Sequence, residues 1–106
     1  DAVWPPYITP TGGITSIVAQ QIIAAGSPSL RRAISYLELI NAGSVGTEVV
    51  VLDGASTILY RCYLAAGVSR IIRPELPFFG SYGNALQIQV LTATTLYAYI
   101  QGFNSN

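Results

Sequence analysis

The reactive side chains of this 106-residue chain are few: five acids, five arginines, one thiol and no imidazole. Without histidine, neither Cys–His nor Ser–His nucleophilic catalysis can be assembled within one chain. Glycoside hydrolysis needs two carboxylates facing each other across a cleft. Here the acids are scattered in sequence, and Asp53 belongs to the turn dipeptide Asp53-Gly54. Zinc asks for His and Cys, and hard cations ask for clustered oxygen ligands. Neither pattern occurs, so no catalytic residue, metal or cofactor is expected and the chain reads as non-enzymatic. A single cysteine, Cys62, excludes an internal disulfide framework. Its place between Tyr60 and Leu64 reads as a buried free thiol.

What remains is the chemistry of burial and stacking. Seven tyrosines, three phenylalanines and one tryptophan offer large contact area with polar tips. Half of the residues are hydrophobic and only 9% are charged, against about 25% in an average domain. Such a chain either covers itself with uncharged polar residues or buries surface against neighbours. The formal net charge is zero, so no basic field gathers nucleic acid or an anionic membrane. The one basic cluster, Arg31-Arg32, reads as solvated or interface arginines on a strand edge. No apolar run approaches the roughly 20 residues of a membrane span, and no signal-peptide pattern opens the chain. A chain that starts at Asp1 and has no Met reads as a processed or trimmed form.

The elements that must position these side chains are strands. Residues 1–13, "DAVWPPYITPTGG", hold three prolines and two glycines and read as an extended arm. Trp4, Tyr7 and Ile8 suit a groove, of this chain's own body or of a neighbour's. Residues 14–106 read as one β-sandwich domain. "ITSIVAQQIIAAG" is β-branched and forms one long or two short strands, although helical spacing also occurs within it. "LRRAISYLELIN", 30–41, alternates as a strand: Glu38 marks the outer set, Ile34, Tyr36, Glu38 and Ile40, and leaves Ala33, Ser35, Leu37 and Leu39 inward. Asp53-Gly54 between apolar runs predicts a hairpin of strands 47–52 and 57–64. On its return strand Ile58, Tyr60, Cys62 and Leu64 are expected inside, and Thr57, Leu59, Arg61 and Tyr63 outside.

A strand, "VSRIIR", follows at 68–73 and is short or bulged, because Arg70 and Arg73 are out of phase. The connection 74–84, "PELPFFGSYGN", carries two prolines and two glycines that bar a central strand. Two last strands, 85–92 and 95–103, put Leu86, Ile88, Val90, Leu96, Ala98 and Ile100 inward. Gln87, Gln89 and Leu91 share one outer face, and Tyr97, Tyr99 and Gln101 another. About seven or eight short strands with turns every 8–12 residues make an all-β antiparallel sandwich or jelly roll. The outward apolar residues Tyr36, Ile40, Leu59, Leu91, Tyr97 and Tyr99, with Trp4, Tyr7 and Ile8 of the arm, are the candidate interface. Phe78, Phe79 and Tyr82 are candidates for a recognition tip on the long loop, where aromatic rings can stack on a host glycan.

The stretch 47–103 carries a further pattern. It has a "T-x-V-x-[VIL]-x-D-G" hairpin at Thr47 to Gly54, then Tyr63-Leu64 and a strand opened by Gly67. The group's "P-x-L-P/R-x-x-x-G-x-x-N-A-L-x-V" connection has its counterpart in Pro74 to Val90, "PELPFFGSYGNALQIQV", and the last strand ends in Gln101-Gly102-Phe103. With "SPSLRRAISYLELINAG" before it, residues 26–103 resemble a group of small structural proteins of tailed-phage virions. The resemblance implies a β-sandwich that serves on the virion without catalysis. In that group some members are capsid decoration (cement) proteins, often trimeric, and related folds sit in head and tail fibres. It thus implies as partners other copies of the chain and the major capsid protein, on the phage head rather than the tail. The alternative it leaves is a fibre module that binds a host receptor or glycan.

Overall fold

A computed structural model describes residues 2–106, as strands joined by turns with no helix among them. The strands are β1 (Tyr7–Ile8), β2 (Gln20–Ile23), β3 (Arg31–Asn41), β4 (Thr47–Asp53), β5 (Thr57–Leu64), β6 (Ser69–Ile72), β7 (Phe78–Phe79), β8 (Leu86–Val90) and β9 (Leu96–Ser105). One sheet runs β1-β9-β3-β6, with β7 also paired to β3, and the other runs β2-β8-β4-β5. All pairings are antiparallel. With the two-residue β7 set aside and the other strands counted in chain order, the sheets read 1-8-3-6 and 2-7-4-5. That is the double Greek-key order of a jelly roll.

Alternation along the strands builds the core. Leu37 and Leu39 of β3, Val49 and Val51 of β4, Leu86, Ile88 and Val90 of β8, and Leu96 and Ile100 of β9 are all fully buried between the sheets. Cys62 joins them as a buried free thiol. Two irregularities shift the expected phase. The β3–β9 register slips between Ile34 and Tyr36, so Ile34 turns inward and is fully buried while Ser35 turns out. The β4–β5 register slips between Val51 and Leu52. Ile58 is therefore 43% exposed, and Leu59 packs against the core instead of facing out. A bulge adds one residue to one strand, and every side chain before it changes face.

The arm lies along the edge of its own body. Trp4 N–H donates to Gly102 O (3.2 Å) and Thr9 N–H to Ala98 O (3.2 Å), and Tyr7 and Ile8 pair with Ile100 and Tyr99. Ile14 then bridges Leu96 in this sheet, after which the chain crosses to β2 in the other. β-branching decides 14–26: the residues give one bridge and one short strand, and the helical spacing is not used.

At the hairpin tip, Gly54 takes φ +68, a conformation open to glycine at little cost. The buried Asp53 beside it does more than turn the chain. Its carboxylate accepts from Ser81 N–H (3.0 Å), Ser81 Oγ (2.7 Å) and Asn84 Nδ2 (3.0 Å), pinning the long 74–84 connection to the hairpin. Burial raises its pKa, but the hydrogen bonds from Ser81 and Asn84 outweigh this and hold it below the ordinary aspartate value. A depressed folded pKa stabilises fully above the ordinary aspartate range and is lost as pH falls through the folded value. Asp53→Asn, which removes the charge those donors face and sets an NH2 where Oδ2 accepted from Ser81 Oγ, is expected to cost about 1–3 kcal/mol at pH 7. Urea midpoints across pH should show that gap closing below the ordinary aspartate range; a gap of constant size would overturn this role.

Candidate protein-interaction face

The outer face of the β1-β9-β3-β6 sheet gathers most of the candidate interface. Antiparallel register places Ile8, Tyr99, Glu38 and Ile71 in one row across its four strands. One row further along lie Tyr97, Ile40 and Ser69, and on the other side lie Gln101 and Tyr36. Cross-strand neighbours on one face stand about 4.5–5.5 Å apart, so each row is a continuous strip. Ile8 is 66% exposed, Ile71 51%, Ile40 39% and Tyr97 37%. Four large apolar side chains at this exposure, in adjoining rows, form a patch rather than scattered exceptions.

The patch is concave at its centre. A groove of about 260 Å³ is lined by Ile8, Glu38, Ile40, Tyr97 and Tyr99, with Thr9 and Ala98 completing it. Tyr36 and Tyr99 meet edge to face at 6.1 Å and 74°, and Arg73 lies over the Tyr36 ring at 5.4 Å. Gln101 Nε2 donates to the Tyr99 hydroxyl oxygen (2.9 Å), which leaves the Tyr99 proton free to donate. Glu38 receives a long contact from the Tyr36 hydroxyl (3.4 Å). Among the described residues the ion pair is Arg61–Glu48 on the other sheet (3.0 Å), so Glu38 makes no ion pair.

Not every candidate is here. Trp4 is only 4% exposed and packs into the core, and Tyr7 faces inward against it. Burial pushes the Tyr7 phenol above its ordinary pKa. Leu59 is drawn inward by the β4–β5 bulge. Leu91 is 44% exposed, but it directly follows β8 in the other sheet, and Gln89 lies within β8. They are not neighbours of Tyr97 and Tyr99 because residues 91–95 cross from one sheet to the other.

The long loop is packed down. Phe78 stacks on Tyr60 (5.4 Å, 29°), and Phe79 meets Phe103 edge to face (6.3 Å, 88°). Of its three aromatic candidates only Tyr82 is exposed, at 51%. Arg31 caps the Phe79 ring at 4.1 Å and reaches Tyr82 at 5.4 Å. Arg32 donates to Ala24 O and Asn104 Oδ1. Arg32 is thus hydrogen-bonded within the fold, whereas Arg31 lies over the rings with its Nε buried and unpaired. Two members of the face escaped the sequence reading. Glu38 served there only as a marker of the outer side, and Ile71 lay in a strand too short to show a phase.

Among the described residues no group of three or more His, Cys, Asp or Glu side chains comes together. No helix among them is long and apolar enough to cross a membrane. No protein-family model matches the chain, and no curated protein matches it in sequence. Solved structures share its fold. The core of Drosophila NLP, described in terms of pentamer formation and histone binding, superposes with a TM-score of 0.56 at 15% identity over the whole of both chains. A subunit of Bacillus endospore appendages, a family of disulfide-linked pili, gives 0.51 at 13% identity over 99% of this chain and 88% of that one. The Tobacco streak virus coat protein gives 0.45 at 9% identity, over 96% and 85%.

Proposed function

We propose that this chain is a non-enzymatic structural subunit of a phage virion, acting as a capsid decoration protein that binds copies of itself and the major capsid protein across capsomers. The observation that carries the reading is the exposed apolar strip Ile8–Tyr99–Glu38–Ile71 with Tyr97 and Ile40 beside it. A decoration subunit works only through contact. Each Å² of apolar surface it buries across a seam contributes about 25 cal/mol before entropic and polar costs. Many identical copies then turn weak contacts into strong attachment. The low charge and the resemblance over 26–103 support the same reading, and the fold is one that pentamer and pilus subunits also use.

Gold-labelled antibody against the protein, applied to intact particles, tests the location. Label spread over the head in many copies is expected. Label confined to the tail would replace decoration with a fibre role in receptor or glycan binding. The surface has its own test. Tyr97→Glu places a carboxylate in the patch, and sedimentation at millimolar concentration should show smaller species while the far-ultraviolet circular dichroism stays that of a β-protein. Unchanged assembly of a folded Tyr97→Glu variant would remove this face from the account.

A further inference from the structure

The pattern of side chains on this face selects its partner. We infer that a second copy of the chain docks face to face on it, related by a two-fold axis that runs along the strands between β9 and β3. This deepens the self-association part of the proposed function and rests on it.

The central row reads apolar, hydroxyl donor, carboxylate acceptor, apolar: Ile8, Tyr99, Glu38, Ile71. A two-fold axis along the strands between β9 and β3 reverses that order in the second copy. Ile8 then meets Ile71, and Tyr99 meets Glu38, twice over. The Tyr99 proton is free to be donated because Gln101 already occupies its oxygen. Glu38, which makes no ion pair, gains a short partner in place of the long Tyr36 contact. In the next row the same axis sets Tyr97 against Ile40. A two-fold axis across the strands would instead stack Glu38 on Glu38, two carboxylates in an apolar groove, which is strongly disfavoured. The charge on the face thus chooses between the two ways of laying the sheets together. A pair of this kind is isologous, the same patch used on both copies, and differs from the trimer that the resemblance implies.

Sheets packed face to face align at about −30°, so the central row makes the tightest contact and the outer rows diverge. Four strands about 4.8 Å apart and three rows about 7 Å apart bound a patch on the order of 400 Å² per copy. That is below the roughly 1,200–2,000 Å² total of a stable standard complex. The pair is therefore weak in free solution and forms where copies are concentrated, as on a particle surface.

The test uses the full chain. Ile8→Cys and Ile71→Cys variants, each in a Cys62→Ala background, are mixed and treated with a bis-maleimide spanning about 8 Å. The inferred pairing gives covalent dimers in the mixture and few in either variant alone, because Ile8 faces Ile71 and not itself. Sedimentation equilibrium supplies the second arm: Glu38→Lys should weaken the pair about tenfold to a hundredfold. Equal cross-linking in the single variants, or a Glu38→Lys protein that pairs as well as the parent, would overturn the inference. So would a chain that stays monomeric at millimolar concentration. A monomer that still labels phage heads removes this pairing and leaves the virion reading standing, whereas a pair that labels no particle does the reverse.

Discussion

Gly102→Ala is expected to destabilise the protein by about 3 kcal/mol, the upper end of the usual cost of overpacking, although it adds a single methyl group. Gly102 lies in β9 opposite Ile34. A Cβ built there meets the Trp4 ring and the carbonyl oxygen of Ala33, both well inside van der Waals contact. One obstacle is backbone in the β3–β9 pair; the other is the largest side chain of the core cluster. The methyl must therefore expel Trp4 or part the strands, and either route loses buried area. Trp4 is the only tryptophan, so its emission reports the outcome directly. A red shift with a lower urea midpoint is expected. A double-mutant cycle with Trp4→Ala should be non-additive, since both changes act on one contact. An unshifted emission with an unchanged midpoint would show that the arm does not hold Trp4 over Gly102.

The same contact explains why part of the fold was hidden in the sequence. "DAVWPPYITPTGG" reads as an arm because its prolines and glycines forbid a regular strand. Nothing local says that Gly102, nearly a hundred positions on, leaves the space for Trp4. The strands that alternate cleanly were legible: β8, the Leu37–Ile40 part of β3, and β9 up to Gln101 have the faces that their sequences imply. Where phase failed, at Ile34 and Ser35 and at Ile58 and Leu59, the cause is a register slip. Bulges depend on the partner strand, and a single strand's alternation cannot announce them.

The candidate face was legible for the same reason. Tyr97 and Tyr99 at i and i+2 must share a side, and Glu38 told which side of β3 faces out. What sequence could not supply was adjacency. The jelly-roll crossover puts Leu91 on one sheet and Tyr97 on the other, although six positions separate them. It also brings Ile71 within one strand spacing of Glu38.

Asn41, the last residue of the strand read at 30–41, carries the second large expectation. It ends β3 fully buried and opposite Leu96. Its Nδ2 donates to Val45 O (2.9 Å) and Leu64 O (3.1 Å), while its Oδ1 accepts from Gly43 N–H (3.1 Å) and Thr94 Oγ1 (2.9 Å). All four positions of the amide are used, and they join the ends of β3 and β5 to the loops on either side. Asn41→Leu keeps the volume and removes every partner. Leu64 O and Gly43 N–H then lose their side-chain partner, at about 1–3 kcal/mol for each buried group left unpaired. A total loss of about 3–5 kcal/mol is expected in urea unfolding. Hydrogen exchange at Gly43 should accelerate ahead of the strand amides, and retained protection there would refute the network. The effect should also reach the interaction face. Asn41 directly follows Ile40, and its partner Leu96 directly precedes Tyr97. Loosening that end of the β3–β9 pair frees two of the side chains that a partner would cover, so Asn41→Leu should weaken self-association even under conditions where the sandwich stays folded.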